Sequence, residues 1–252
     1  MRAGYGNLVT VVTRADRRLT WRLVLGLLAV GVLGAGFLML ALLVRASWSP
    51  LLDLDRSVAT GLHGVAVRHA WFVTLFKVLS TVFDPITFRV LITLIALALL
   101  ARRHVRLGAW ILVTVWGAAV LGLALKELVA RTRPDLVDAV ATAPGHSFPS
   151  GHALTSTVGS AVLLLLVMPL LHGRWRALAV AVAVAIPVAT GFARIGLGVH
   201  FLSDVVAGEL LGLAWGATTT ATFRAWRHDV GLPRAPWTEA EPEELQADEL
   251  PR

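Results

Sequence analysis

Residues 107–134 read LGAWILVTVWGAAVLGLALKELVARTRP, and the fold turns on the run from Leu107 to Val129. Only Lys126 and Glu127 carry charge within it, both close to its end. At 1.5 Å of rise per residue, about 20 apolar residues cross a hydrocarbon core of about 30 Å. The run is therefore predicted to be a membrane-spanning helix, and it closes on Lys126, Arg131, Arg133 and Pro134.

The same grammar recurs on both sides. Trp21 to Val44, Pro85 to Ala101, His152 to Leu171, Ala177 to Phe192 and Ser203 to Phe223 are further apolar runs, which gives six spans. Arg14, Arg17, Arg18 and Arg22 make the first run resemble a signal peptide. It is longer than a signal core of about 7–15 residues and lacks a convincing small-residue cleavage site, so it reads as an uncleaved span. The fold expected is all-α, a six-span bundle.

Composition agrees. The chain is 56% hydrophobic and 15% charged, with mean hydropathy +0.72, whereas soluble domains carry about 25% charged residues. The net charge of +7 is almost all arginine, and Lys77 and Lys126 are the only lysines. The arginines cluster between runs, at 102–106, 174–176 and 224–227. Six spans put these clusters and the basic segment 1–20 on one side, which the positive-inside rule makes cytoplasmic. Both termini are then cytoplasmic, in a multi-pass protein of the cell membrane. No basic patch interleaved with aromatics suggests nucleic acid. Cysteine is absent, which excludes disulfides, thiolate metal sites and a cysteine nucleophile.

Two segments fall outside the runs. Between Asp53 and Asp84, residues Phe72, Leu75, Phe76, Leu79, Val82 and Phe83 recur at helical spacing, with Lys77, Ser80 and Thr81 between them. This reads as an interfacial helical segment on the extracytoplasmic side. Residues 229–252 combine Pro233, Pro236 and Pro242 with acid from Glu239 to Glu249, the composition of a disordered cytoplasmic tail.

In this topology the outer span ends hold three polar clusters. They are Lys126 with Arg133-Pro134, Phe148-Pro149-Ser150-Gly151-His152, and Arg194 with His200 and Asp204. Lys126, Arg133 and Arg194 supply charge, and arginine forks match phosphate oxygens. Ser150 and Gly151 open a helix whose free N–H groups favour an anion. With a helix starting near Gly198, His200 and Asp204 share a face, so that Asp204 takes the Nδ1 proton and Nε2 becomes a nucleophile. His152 is available as acid for a leaving oxygen. Arg131 and Lys77 read as snorkelling anchors, and His63, His69, His104 and His172 as structural. His146 is near the site without an evident partner.

These segments resemble the three signature motifs of the type 2 phosphatidic acid phosphatase superfamily. Lys126, Arg133 and Pro134 match the first, Pro149 to His152 the second, and Arg194, His200 and Asp204 the third. One position departs, because Ala193 stands where the family usually has serine. The resemblance implies a metal-free, cofactor-free lipid phosphatase with His200 as nucleophile, Asp204 orienting it and His152 as acid. Lys126, Arg133, Ser150, Gly151 and Arg194 would hold the phosphate. Implied substrates are phosphatidic acid, phosphatidylglycerol phosphate and polyprenyl diphosphates, the outward site favouring the last. Two alternatives stand beside this: transfer of the phosphate to another lipid, and a non-enzymatic transporter or scaffold for anionic lipids. The scaffold would have no use for His200, Asp204 and His152 together.

Overall fold

The computed structural model describes residues 4–137 and 140–229, with side chains for 24–137 and 140–224. Eight α-helices follow one another: α1 (Gly4–Arg45), α2 (Ser49–Arg68), α3 (Ala70–Val82), α4 (Pro85–Ala101), α5 (Val105–Val129), α6 (Gly151–Val167), α7 (Arg174–Gly196) and α8 (Leu202–Asp229). There is no strand among the described residues. The expected tail beyond Asp229 lies outside them.

Among the described residues five stretches are long and apolar enough to cross a membrane: Val24–Arg45, Ala70–Ala101, Val105–Val129, Gly151–Leu170 and Arg174–Gly196. Their outer faces carry large apolar side chains in the open, such as Leu27, Val32, Leu94 and Val120. That inversion of a soluble surface suits lipid. The sixth expected run lies on α8, which is long enough but does not reach the apolarity of the five. Asp204, Glu209 and Thr218 to Thr220 dilute it. Its place explains the tolerance: α8 packs against α1, α5, α6 and α7, and neighbouring helices rather than lipid cover much of it.

The segment Asp53 to Asp84 departs from the single amphipathic helix expected. It holds most of α2 and all of α3, and α3 joins α4 in one apolar stretch, Ala70–Ala101, broken at Phe83-Asp84. The break is local chemistry. Asp84 Oδ1 accepts from Ile86 N at 2.9 Å, capping α4 with Pro85 in its first turn.

Glycines set the helix contacts that matter for the site. A Cβ on Gly159 of α6 would clash with Phe88 of α4, and one on Gly196 of α7 would clash with Phe76 of α3. A Cβ on Gly208 of α8 would meet the Ser150 carbonyl at 2.6 Å. These close approaches bring the start of α4, the end of α3, the start of α6, the end of α7 and the start of α8 to one end of the bundle. The reversals at 102–104 and 171–173 lie at the other ends of α5 and α6.

Candidate active site

α5 stops at Val129 because Ala130 turns left-handed, at φ 50°. The chain then crosses the end of the bundle as a loop to Ser150. Lys126 Nζ anchors it by donating to the His146 carbonyl at 2.6 Å. Arg133 organises it more completely. Its Nε donates to Gly145 O, Nη2 to Pro144 O and His146 O, and Nη1 to Val199 O at 2.7 Å. The remaining Nη1 proton points at His200 Nε2, 3.2 Å away. A guanidinium has five N–H donors, and here all five have protein partners.

That last contact fixes the state of His200. Arginine can only donate, so Nε2 carries the lone pair and a neutral ring keeps its proton on Nδ1. Nδ1 faces Asp204 Oδ2 at 3.5 Å, a long contact rather than a formed hydrogen bond. The two residues do not share a helical face, because α8 starts at Leu202 and not near Gly198, which bends the chain at φ +73°. They meet through a capping turn, in which Asp204 Oδ2 reaches back to Phe201 N at 2.9 Å. Burial pushes the His200 imidazole down from its ordinary value to about 4; Asp204 opposes this, and Arg194 and Arg133 reinforce it.

Arg131 is not the lipid anchor its sequence position suggests. Its side chain is buried, with Nη1 2.7 Å from Asp204 Oδ1 and Nη2 2.7 Å from Asp55 Oδ2. Its guanidinium lies 4.2 Å above the Phe201 ring. Asp55 also accepts from Ser203 N at 2.9 Å and from the Ser203 hydroxyl. A charge this far from water needs partners rather than a snorkelling route, and Arg131 has two carboxylates and the Ser203 hydroxyl.

Ser150 caps α6, its Oγ accepting from Ala153 N at 3.4 Å, and its side chain is fully buried. Its N–H donates to the Asp204 carbonyl, which ties the starts of α6 and α8. Arg194 Nη1 donates to Ser80 Oγ at 2.7 Å, while its buried Nε has no partner. His152 Nε2 is 3.4 Å from Ser80 Oγ and 3.7 Å from Asp84 Oδ2. His63 is structural, donating Nε2 to Val137 O, and His146 lies 3.7 Å from Glu127.

A cavity of about 240 Å³ gathers Lys126, Arg133, Gly151, His152, Arg194 and His200, with Arg89 and Thr155 beside them. Among the described residues no carboxylate lines it. Of the eight residues expected at the site, six line this space. Asp204 lies behind His200, and Ser150 shapes the helix start without lining the cavity. Among the described residues no group of three His, Cys, Asp or Glu could hold a metal ion.

Residues 107–228 match the family model of the PAP2 superfamily. This stretch belongs to that superfamily, as its three motifs imply, and the chain has the helices of a membrane protein. Phosphatidylglycerophosphatase B of Bacillus subtilis is 35% identical over 96 residues, 37% of this chain and 46% of that protein. Decaprenylphosphoryl-5-phosphoribose phosphatase of Mycobacterium tuberculosis is 40% identical over 103 residues, 40% of this chain and 52% of that protein. Undecaprenyl-diphosphatase of Sulfolobus acidocaldarius is 34% identical over 124 residues, 46% of this chain and 55% of that protein. The chain thus spans about half the length of these curated relatives. A solved structure, the first transmembrane PAP2 type phosphatidylglycerolphosphate phosphatase from Bacillus subtilis, superposes with a TM-score of 0.68. It is 25% identical, and the match covers 77% of this chain and 94% of that one.

Proposed function

We propose that the protein is an integral membrane phosphatase that hydrolyses lipid phosphate monoesters or polyprenyl diphosphates through a phosphohistidine on His200. The observation that carries this is the cavity itself. A histidine with its Nε2 lone pair facing a cation, a second histidine and three motif cations line one space, with no carboxylate among its described lining residues. The unpartnered Nε of buried Arg194 is a donor in want of an acceptor, as a phosphate oxygen is.

In the mechanism, Arg194, Lys126 and the free N–H groups at the start of α6 draw the phosphate in. One phosphate oxygen takes over the Arg133 Nη1 proton, which releases the His200 Nε2 lone pair. Nε2 attacks phosphorus in line as the bond to the leaving oxygen breaks, and His152 protonates that oxygen. Water then cleaves the P–N bond. Asp204 supports the Nδ1 proton throughout. The names of the relatives favour the lipid substrate class, and the names alone divide between phosphatidylglycerol phosphate and polyprenyl carriers.

Release of inorganic phosphate from purified lipid phosphates and diphosphates tests the reading, with His200→Ala as control. Turnover by wild type alone is expected, and no release from any lipid would end it. In the topology we propose, α8 is the sixth span, the site faces outward and both termini are cytoplasmic. A reporter after Asp229 should then register inside and a tag inserted after Val137 outside.

A further inference from the structure

We infer that Asp84 is the positioning residue of His152: with the Ser80 hydroxyl it holds Nε2 and thereby presents Nδ1 to the leaving oxygen. The inference rests on the reading of His152 as general acid. It adds a second histidine–aspartate pair, whose aspartate comes from outside the three motifs.

The placement follows from packing. Phe88 of α4 fills the notch at Gly159 of α6, and Asp84 stands one turn before Phe88, at the cap of α4. His152 stands two turns before Gly159 on the same side of α6. Seating Phe88 therefore brings the Asp84 carboxylate to the His152 ring. Likewise, Phe76 of α3 fills the notch at Gly196 of α7, and Ser80 lies one turn after Phe76. That contact brings Ser80 between Arg194 and His152.

The hydrogen bonds then divide the work. Asp84 Oδ1 is held by Ile86 N at 2.9 Å, which orients the carboxylate and leaves Oδ2 at 3.7 Å from His152 Nε2. Ser80 Oγ accepts from Arg194 Nη1 and has a second lone pair for Nε2–H at 3.4 Å. With Nε2 so engaged, Nδ1 is the ring nitrogen with no protein partner among the described residues, on a ring that lines the cavity.

The step balances. His152 enters as imidazolium and gives its Nδ1 proton to the leaving oxygen, which keeps the electron pair of the broken P–O bond. The Nε2–P bond to His200 forms at the same time. The neutral ring then takes a proton from water as water's oxygen bonds to phosphorus and the P–N pair returns to His200.

Asp84→Asn is the test, because asparagine caps a helix about as well as aspartate. Turnover is measured with phosphatidic acid in mixed micelles, a poor leaving group, and with 4-nitrophenyl phosphate, a good one. Asp84→Asn is expected to lower the ratio of the two rates by about tenfold, part of the about 10²–10⁴-fold that acid catalysis contributes. In a His152→Ala background it should change that ratio no further. An unchanged ratio in Asp84→Asn, alongside a changed one in His152→Ala, overturns the inference alone. An additional ratio change in the His152→Ala background does the same. An unchanged ratio in His152→Ala overturns the acid reading itself, and the inference with it.

Discussion

Arg131 Nη1 lies 2.7 Å from Asp204 Oδ1, with both side chains buried, so the carboxylate facing His200 is matched from behind by a cation that the motif leaves unspecified. The same guanidinium holds Asp55 of α2. One positive charge thus serves two buried carboxylates, and it joins α2, the loop after α5 and the start of α8. Asp204 is fixed by Arg131 and by Phe201 N, and it faces the His200 ring.

Removing that cation strands two negative charges. Arg131→Ala is expected to destabilise the fold by about 3–5 kcal/mol, the cost of breaking a buried pair. Asp55→Asn should cost less than half as much, because Arg131 keeps Asp204. Unfolding in a mild detergent, followed by tryptophan fluorescence, measures both. Equal losses would mean that the network is not shared in this way.

Buried His200 has a pH consequence. In the proposed mechanism its neutral form is the nucleophile, and burial pushes its proton affinity down to about 4 from an ordinary 6.5. Lowering the pH from 7 should therefore leave the nucleophile intact through 6.5 and remove it only near 4. The linkage has the same sign. A histidine that resists protonation in the fold costs no stability above pH 6.5, and costs progressively more as the pH falls from there towards 4. The profile of kcat/KM, with the substrate's own second ionisation near 6 divided out, checks the first claim. An enzyme-borne acid limb centred at 6.5 would refute it.

Arg133 separates charge from geometry. All five of its donors are used, four on carbonyls of the loop and of Val199 and one on His200. Arg133→Lys keeps the charge and loses the fork. Turnover should drop by about 10-fold or more, given about 1.5–3 kcal/mol for each hydrogen bond to a charged group. Lysine restoring wild-type turnover would mean that Arg133 acts only as a point charge.

Much of this was legible in the sequence where the determinants are local. Some apolar runs mark helices to within a few residues, as in Leu107 to Val129 against Val105–Val129, whereas α1 begins at Gly4, well before the run from Trp21. The motifs carry Lys126, Arg133, Gly151, His152, Arg194 and His200 to one cavity. Ser80, Asp84, Asp55 and Arg131 could not be read this way. Asp55 meets Ser203 across 148 residues, Arg194 meets Ser80 across 114, and Arg131 meets Asp204 across 73. Read locally, each has an ordinary role, as a helix cap, a polar surface position or an anchor. Asp84 gave the one available signal, an Asp-Pro pair before an apolar run, and that signal announces a cap rather than a partner for His152. The run from Ser203 matches the start of α8 at Leu202, but the helix from near Gly198 that would put His200 and Asp204 on one face is absent, because Gly198 and the Asp204 cap make a tight turn there instead.

The last prediction separates catalysis from binding. If His200 attacks phosphorus, His200→Ala should abolish turnover and leave the cations able to hold inorganic phosphate. Neither Arg194 nor Lys126 depends on the His200 ring for its contacts; Arg194 is held by Ser80 and Lys126 by the His146 carbonyl. Arg194→Ala should weaken both properties, since the same donors meet the ground state and the transition state. The expected loss in phosphate affinity is roughly 10–100-fold, the equivalent of about 1.5–3 kcal/mol for a charged hydrogen bond. Asp204→Asn is a poorer probe, because it also unbalances Arg131 and Asp55, and its effect on turnover would mix orientation with stability. Titration calorimetry with inorganic phosphate, run beside phosphate-release assays on the same detergent preparations, gives the two readouts. Turnover persisting in His200→Ala would exclude the phosphohistidine. Phosphate affinity lost with His200 but untouched in Arg194→Ala would place the anion on the histidine and away from the cavity's cations.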